Sequence, residues 1–287
     1  MRTAIATVAV GIGLSVFVAC GSSSVVLQPV DDGGTESGLP EAAVDAEAGG
    51  ANVGVVQMKS YSPPSTDAGN ATVFARFVTG QVSACAETIV GGCSVNSCDL
   101  TATPTGVPVS AGQLVISGGL QKVTLIPKNS DYVTENVSTR LWNGGEVLSI
   151  VGAGATAPAF NLSVITPSYV TVTDPPWPAN GKLTIDRTQP WSFTWTGGGA
   201  GEVMFNLNAS TGKSAVLLSC AFPAASGAAV ISPAVLAKLP PSSTQAMLSI
   251  ESHTVIQSTA GSYAMVFHAT AQANTPSSLA TATVAVP

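Results

Sequence analysis

Charge is scarce in this sequence. Only 9% of its 287 residues are Asp, Glu, Lys or Arg, where an average soluble domain carries about 25%. A coiled coil needs charged flanks along its heptads, so that class is excluded. Positive charge is scarcer still, with 10 Lys plus Arg against 16 Asp plus Glu. A nucleic-acid binder needs a basic face, so that class is excluded too. The chain has two histidines, and aromatics make up 6%. It has no Gly-x-Ser-x-Gly elbow, no His-Glu-x-x-His pair and no Asp-rich calcium loop. Gly212-Lys213-Ser214 resembles the end of a phosphate loop, but Leu207 stands where the first glycine belongs. The flanking pattern there is strand–turn–strand. The expectation is a protein that is not an enzyme and carries no cofactor.

What the chain does have is short alternating runs punctuated by turn residues. Gln113–Ser117 and Leu120–Ile126 flank Gly118-Gly119. Leu141-Trp142 and Glu146–Val151 flank Asn143-Gly144-Gly145. Glu202–Leu207 and Ser214–Cys220 flank Thr211-Gly212. In Trp191, Phe193 and Trp195 the large rings alternate with Ser192 and Thr194, the pattern of a half-buried strand. One helix is expected, over 233–239, with Ser232 as N-cap and Pro233 in the first position, stopped by Pro240-Pro241. The fold class is therefore all-β. Two antiparallel β-sandwich units packed together are expected, over 51–167 and 168–287, with the boundary near Pro167.

The N-terminal fifth differs in kind. Arg2 precedes an apolar run of 16 residues, Ala4–Ala19. That is too short for a comfortable membrane span and has the form of an export signal over 1–19. Residues 21–50 hold six acidic residues and no Lys or Arg, with Gly33-Gly34, Pro40 and Gly49-Gly50 as breakers. With Cys20 they read as a disordered acidic tether, 20–50. Such a coil holds the body about 30 Å from its anchor. The remaining body is nearly neutral, so the acidic pI of 4.7 belongs to the tether.

The run ends in Phe17-Val18-Ala19-Cys20, followed by Gly21 and three serines. This resembles the lipobox of bacterial lipoproteins, although Phe17 departs from the usual Leu, Val or Ile. The resemblance implies lipidation of Cys20 and export to the outer membrane or cell surface. Two or three acyl chains anchor stably where one does not. Cys93-x₄-Cys98 and Trp195-Thr-Gly-Gly198 are similar to patterns in uncharacterised β-sandwich lipoproteins of Gram-negative bacteria. The second half resembles an immunoglobulin- or fibronectin-like module by pattern rather than by a sharp motif.

Setting Cys20 aside leaves Cys85, Cys93, Cys98 and Cys220. Four cysteines in an oxidising compartment imply two disulfides. The connectivity stays open, but Cys220 must pair with one of the other three. The spacings lack the tight knuckle of a zinc site.

Two constellations could carry function. In a hairpin across 258–261, pairing Gln257 with Ser262 sets Glu251 opposite His268 and His253 opposite Val266. Both histidines and Glu251 then share one face, as a metal site or a metal-dependent hydrolase requires. Trp177, in a proline-rich loop, and Trp142, beside a turn, are candidates to stack on glycans or anchor a protein partner. The expected function is a non-catalytic, membrane-anchored envelope lipoprotein that presents β-sandwich domains for binding or structural use. Its expected partners are the membrane, through Cys20, and envelope polysaccharide or protein. A carbohydrate-binding module and an exported metal-dependent hydrolase are the alternatives.

Overall fold

The computed structural model describes residues 51–61, 71–82, 85–102, 105–132, 135–137, 139–177, 181–240, 243–275 and 280–286. The export signal, Cys20 and the acidic tether lie outside the described residues. Strands are numbered below in chain order.

The chain is all-β and its largest element is one twelve-stranded sheet. Its main path runs β3 (Cys85–Val90), β4 (Cys93–Asp99), β15 (Ser214–Pro223), β14 (Glu202–Thr211), β17 (Ser243–Ala260), β18 (Tyr263–Gln272), β1 (Ala51–Ser60), β2 (Ala71–Val82), β5 (Thr105–Pro108). Strand β19 (Thr281–Val286) pairs with the first part of β17 and carries β12 (Lys182–Thr184), while β8 (Glu135–Val137) pairs with β2. A four-stranded sheet orders β10 (Phe160–Ile165), β9 (Val147–Gly152), β6 (Leu114–Ser117), β7 (Val123–Leu125). A three-stranded sheet orders β11 (Val170–Asp174), β13 (Trp191–Gly197), β16 (Ala228–Ile231).

Alternation decides which side of each strand is dry. In β14, Val203, Phe205, Leu207 and Ala209 are buried, while Met204, Asn206, Asn208 and Ser210 point the other way. One core gathers these residues with Phe193, Trp195, Leu218, Ile250 and Ile231. A second gathers Phe77, Trp142, Leu114, Ile116, Leu148, Ile150, Met58 and Phe267. Each fully buried large apolar side chain contributes about 1.5–3 kcal/mol. Gly54 on β1 belongs to the second core's face. A Cβ there would lie 2.6 Å from Met265 Sδ and 2.7 Å from the Phe77 ring, so only glycine lets both pack onto the backbone.

The large sheet is shared between the cores and is mixed rather than antiparallel. β1 runs parallel to β18, with Asn52 opposite Tyr263 and Ser60 opposite Ala271. β12 runs parallel to β19. The second segment's last hairpin is therefore continued by the first segment's strands.

Three local expectations change. The helix α1 covers only Pro233–Leu236, with proline in the first turn, and the Ser232 side chain makes no capping bond. The chain around Asn143 is not a hairpin. There the Glu146 carboxylate accepts the N–H groups of Asn143 (2.8 Å) and Gly144 (2.7 Å), closing a turn that leads into β9. The β17–β18 hairpin turns at Gly261-Ser262, with Ala260 opposite Tyr263, so its register differs from expectation by four residues.

Candidate functional site: a polar cluster across four strands

The new register places His253 opposite Thr270, Glu251 opposite Gln272 and His268 opposite Val255. A slip by an even number leaves every side chain on its face. His253, His268 and Glu251 therefore do share the side of the large sheet that faces away from the cores. β14 and β1 add Asn206 and Lys59 to this side.

Lys59 stands opposite Thr270, so its stem must cross β18 to reach β17. Its Nζ lies 2.9 Å from Glu251 Oε2, and Asn206 Nδ2 donates to Glu251 Oε1 at 2.9 Å. The Lys59 and Glu251 side chains are only 23% and 13% exposed. Thr270 and Gln272, in the strand that Lys59 crosses, are 1% exposed. Burial works to lower the Lys59 pKa. The Glu251 charge and hydrogen bond outweigh it, and the net shift is upward.

The two histidines meet directly. His253 Nε2 and His268 Nδ1 are 2.9 Å apart and share one proton-bearing bond, with the rings stacked at 23°. Burial is the main cause that pushes His268 down to about 4, helped by His253 and opposed by Glu251. Burial likewise lowers His253, with Glu251 opposing. Both rings are neutral at pH 7. His253 Nδ1 is buried without a hydrogen-bond partner. Across from His253 on β14 stands Glu202, whose pKa burial raises.

The cluster is arranged to hold strands together. Both Glu251 oxygens are engaged, and each histidine spends a nitrogen on the other. The expected metal site of His253, His268 and Glu251 is thus not assembled. Among the described residues no group of three or more His, Cys, Asp or Glu side chains is placed to hold a metal ion. Sequence reasoning missed Lys59 and Asn206, which are 192 and 45 residues from Glu251. The one available signal was a lysine inside the otherwise uncharged β1.

Trp142 is fully buried and its indole N–H donates to Pro167 O at 3.1 Å. It is a core residue and offers no face to a glycan or partner. Trp177 is half-buried against the first core, and its indole N–H donates to Thr281 O at 2.9 Å. The disulfides are Cys85–Cys98 and Cys93–Cys220. Each joins directly opposed residues, of β3 and β4 and of β4 and β15 respectively. They fit an oxidising, extracytoplasmic setting.

No family model matches the chain, and no curated protein matches it. Among solved structures, one of a 1.5-MDa bacterial ice-binding adhesin, described for host cell surface retention, is similar over 77% of this chain and 76% of that chain. Identity is 12% and the TM-score 0.18. A likeness at that level carries no argument about fold or function.

Proposed function

We propose that this chain is an exported, non-catalytic envelope lipoprotein, anchored through Cys20, whose β-sandwich body serves binding or structural support. The observation that carries the non-catalytic part is the internal pairing of the polar cluster, in which the unpartnered His253 Nδ1 is itself buried. Its carboxylate is neutralised by Lys59 and held by Asn206, and its imidazoles are neutral and bonded to each other. A general acid or base works best with a pKa near the operating pH, and burial holds His268 down at about 4. The disulfides support export, and the Phe17–Cys20 sequence supports the anchor. The partners it would meet are envelope polysaccharide or protein.

Labelling cells with an alkynyl fatty acid tests the anchor. The wild-type chain takes up label and fractionates with membrane, whereas Cys20→Ser takes up none and becomes soluble. Label on the Cys20→Ser chain, or none on the wild type, removes the lipoprotein reading. Co-sedimentation with insoluble polysaccharides and peptidoglycan separates the two partner classes. Retention that Trp177→Ala abolishes at unchanged thermal stability identifies a carbohydrate ligand.

A further inference from the structure

The large sheet ends at β3, and this edge differs from the others among the described strands. Edge strands carry unpaired N–H and C=O groups, and proteins guard them with proline, lysine, bulges, short length or a cover. β5 has four residues, ends in Pro108 and faces a register break in β2. β7 has three residues, between Lys122 and Pro127. β10 lies against β17 and β18. The free flank of β11 is taken by Asn274, which bonds Val170 and Val172. β16 has four residues and is followed by Pro233. β3 has six residues, with no proline and no lysine. Ala86, Thr88 and Ile89 are exposed, Ile89 at 58%. Its single guard is the charge of Glu87, whose carboxylate is drawn back over β4 to accept from Ser94 Oγ at 2.6 Å.

The hydrogen-bond phase of this edge follows from one contact. Leu100 N–H donates to Lys213 O at 2.8 Å, which makes 100 and 213 a hydrogen-bonded pair between β4 and β15. Such pairs alternate, so Cys93, Val95 and Ser97 turn their backbone groups toward β3. There they meet Val90, Thr88 and Ala86. Glu87 and Ile89 are then the residues of β3 whose N–H and C=O point off the sheet. The 4.3 Å Cα separation of Cys93 and Cys220 agrees, because non-hydrogen-bonded pairs are the close ones. Two disulfides fix this strand to β4 and β4 to β15, so the template is ordered before anything binds.

From this phase and the side-chain order we infer that β3 is a self-association edge, whose occupant is β3 of a second copy, antiparallel about a two-fold axis at Thr88. A two-fold perpendicular to the sheet pairs each residue with one on the same face. Of the registers that satisfy this, those centred on Glu87 and on Thr88 overlap most of β3 (Cys85–Val90). Centring on Glu87 sets two carboxylates directly opposite, which is destabilising. Centring on Thr88 sets Thr88 against Thr88, Glu87 against Ile89 and Ala86 against Val90. It places like charge nowhere opposite itself. In that register Glu87 N–H donates to Ile89 O of the second copy and Ile89 N–H to Glu87 O. With the symmetric set, four backbone bonds form. One strand pair is a small interface, so the dimer is weak and concentration-dependent.

Sedimentation and crosslinking of the full-length chain, with Cys20→Ser to remove the lipid, test the inference. The expected result is a monomer–dimer equilibrium within a ceiling of about 1 mM. Thr88→Cys should give a disulfide-linked dimer under mild oxidation, mapped to residue 88 in both chains. Ile89→Pro should abolish dimerisation while leaving the thermal midpoint unchanged, because its N–H takes no part in the β3–β4 ladder. If Ile89→Pro does not fold, Ile89→Glu provides the same readout by setting a carboxylate directly against Glu87 of the second copy. A monomer throughout that range overturns the inference. So does a Thr88→Cys chain that crosslinks no faster than Ser258→Cys, or a dimer that persists in the folded Ile89 variant.

Discussion

The two ends of the large sheet are held by different means. At the β3 end no residue of the edge strand is buried, and both disulfides lie there. At the β1–β2 end there is no disulfide among the described residues. There Val56, Met58, Val73 and Phe77 are wholly buried, and Lys59 ties β1 across β18 to β17. A strand with a dry face is held by packing, whereas a strand without one needs a covalent bond. The comparison accounts for Cys85–Cys98, which ties the exposed β3 to β4, whereas Cys93–Cys220 joins two strands that already bury Val95 and Leu218 in the first core.

Removing the staples should show the largest effect. Replacing Cys93 and Cys220 together by alanine opens a link between residues 127 apart. By loop-closure entropy this costs about 4–5 kcal/mol, and the Cys85–Cys98 pair, 13 apart, costs about 3. Urea titration under oxidising conditions should rank the two variants in that order. Equal losses, or the reverse order, would mean that local strain rather than chain entropy sets the value of each bond.

Breaking the tie at the other end should cost less. Lys59→Met strands the Glu251 carboxylate in a part-buried site, at about 2–4 kcal/mol. The double variant Lys59→Met/Glu251→Leu should regain most of that loss, since replacing both charges by apolar groups is often neutral. If the double variant is no better than the single one, the pair's value lies in its stems covering Thr270 and Gln272 rather than in its charges.

The smallest effect depends on pH. His268 titrates near 4 in the folded chain and near 6.5 when unfolded. A depressed pKa means the unfolded state binds the proton first. The stability associated with the neutral ring is therefore present above pH 6.5 and is lost as pH falls toward 4. Denaturation midpoints measured across that window should fall more steeply for the wild type than for His253→Leu/His268→Met. The difference is about 1–3 kcal/mol by pH 4. Parallel curves would show that the histidine pair contributes nothing to the acid response.

Much of this was legible in residues close together in sequence. The turns at Gly118-Gly119 and Thr211-Gly212 join strands that do pair, because alternation and turn chemistry are both local. The grouping of His253, His268 and Glu251 on one face survived a wrong register only because the slip was even. What could not be read was the company they keep. Lys59 arrives through a parallel pairing that no turn signals, and it takes Glu251 out of the apparent ligand set into an ion pair. Trp142 looked exposed beside its turn, yet it is buried at the junction with Pro167. The helix over 233–239 shortened to a single turn that packs Val235 and Leu236 into the first core.

The parallel register between β1 and β18 also bears on how the molecule can be made. Asn52 pairs with Tyr263, so a chain delivered N-terminus first presents β1 long before its neighbour exists. β2 can pair with it at once on one side, but its other side stays open until almost the whole body has followed. Closing so long a loop is slow, and unpaired strand edges are prone to aggregate while they wait. The lysine in β1 is in place during that interval, a charge on a waiting edge before it becomes half of an ion pair.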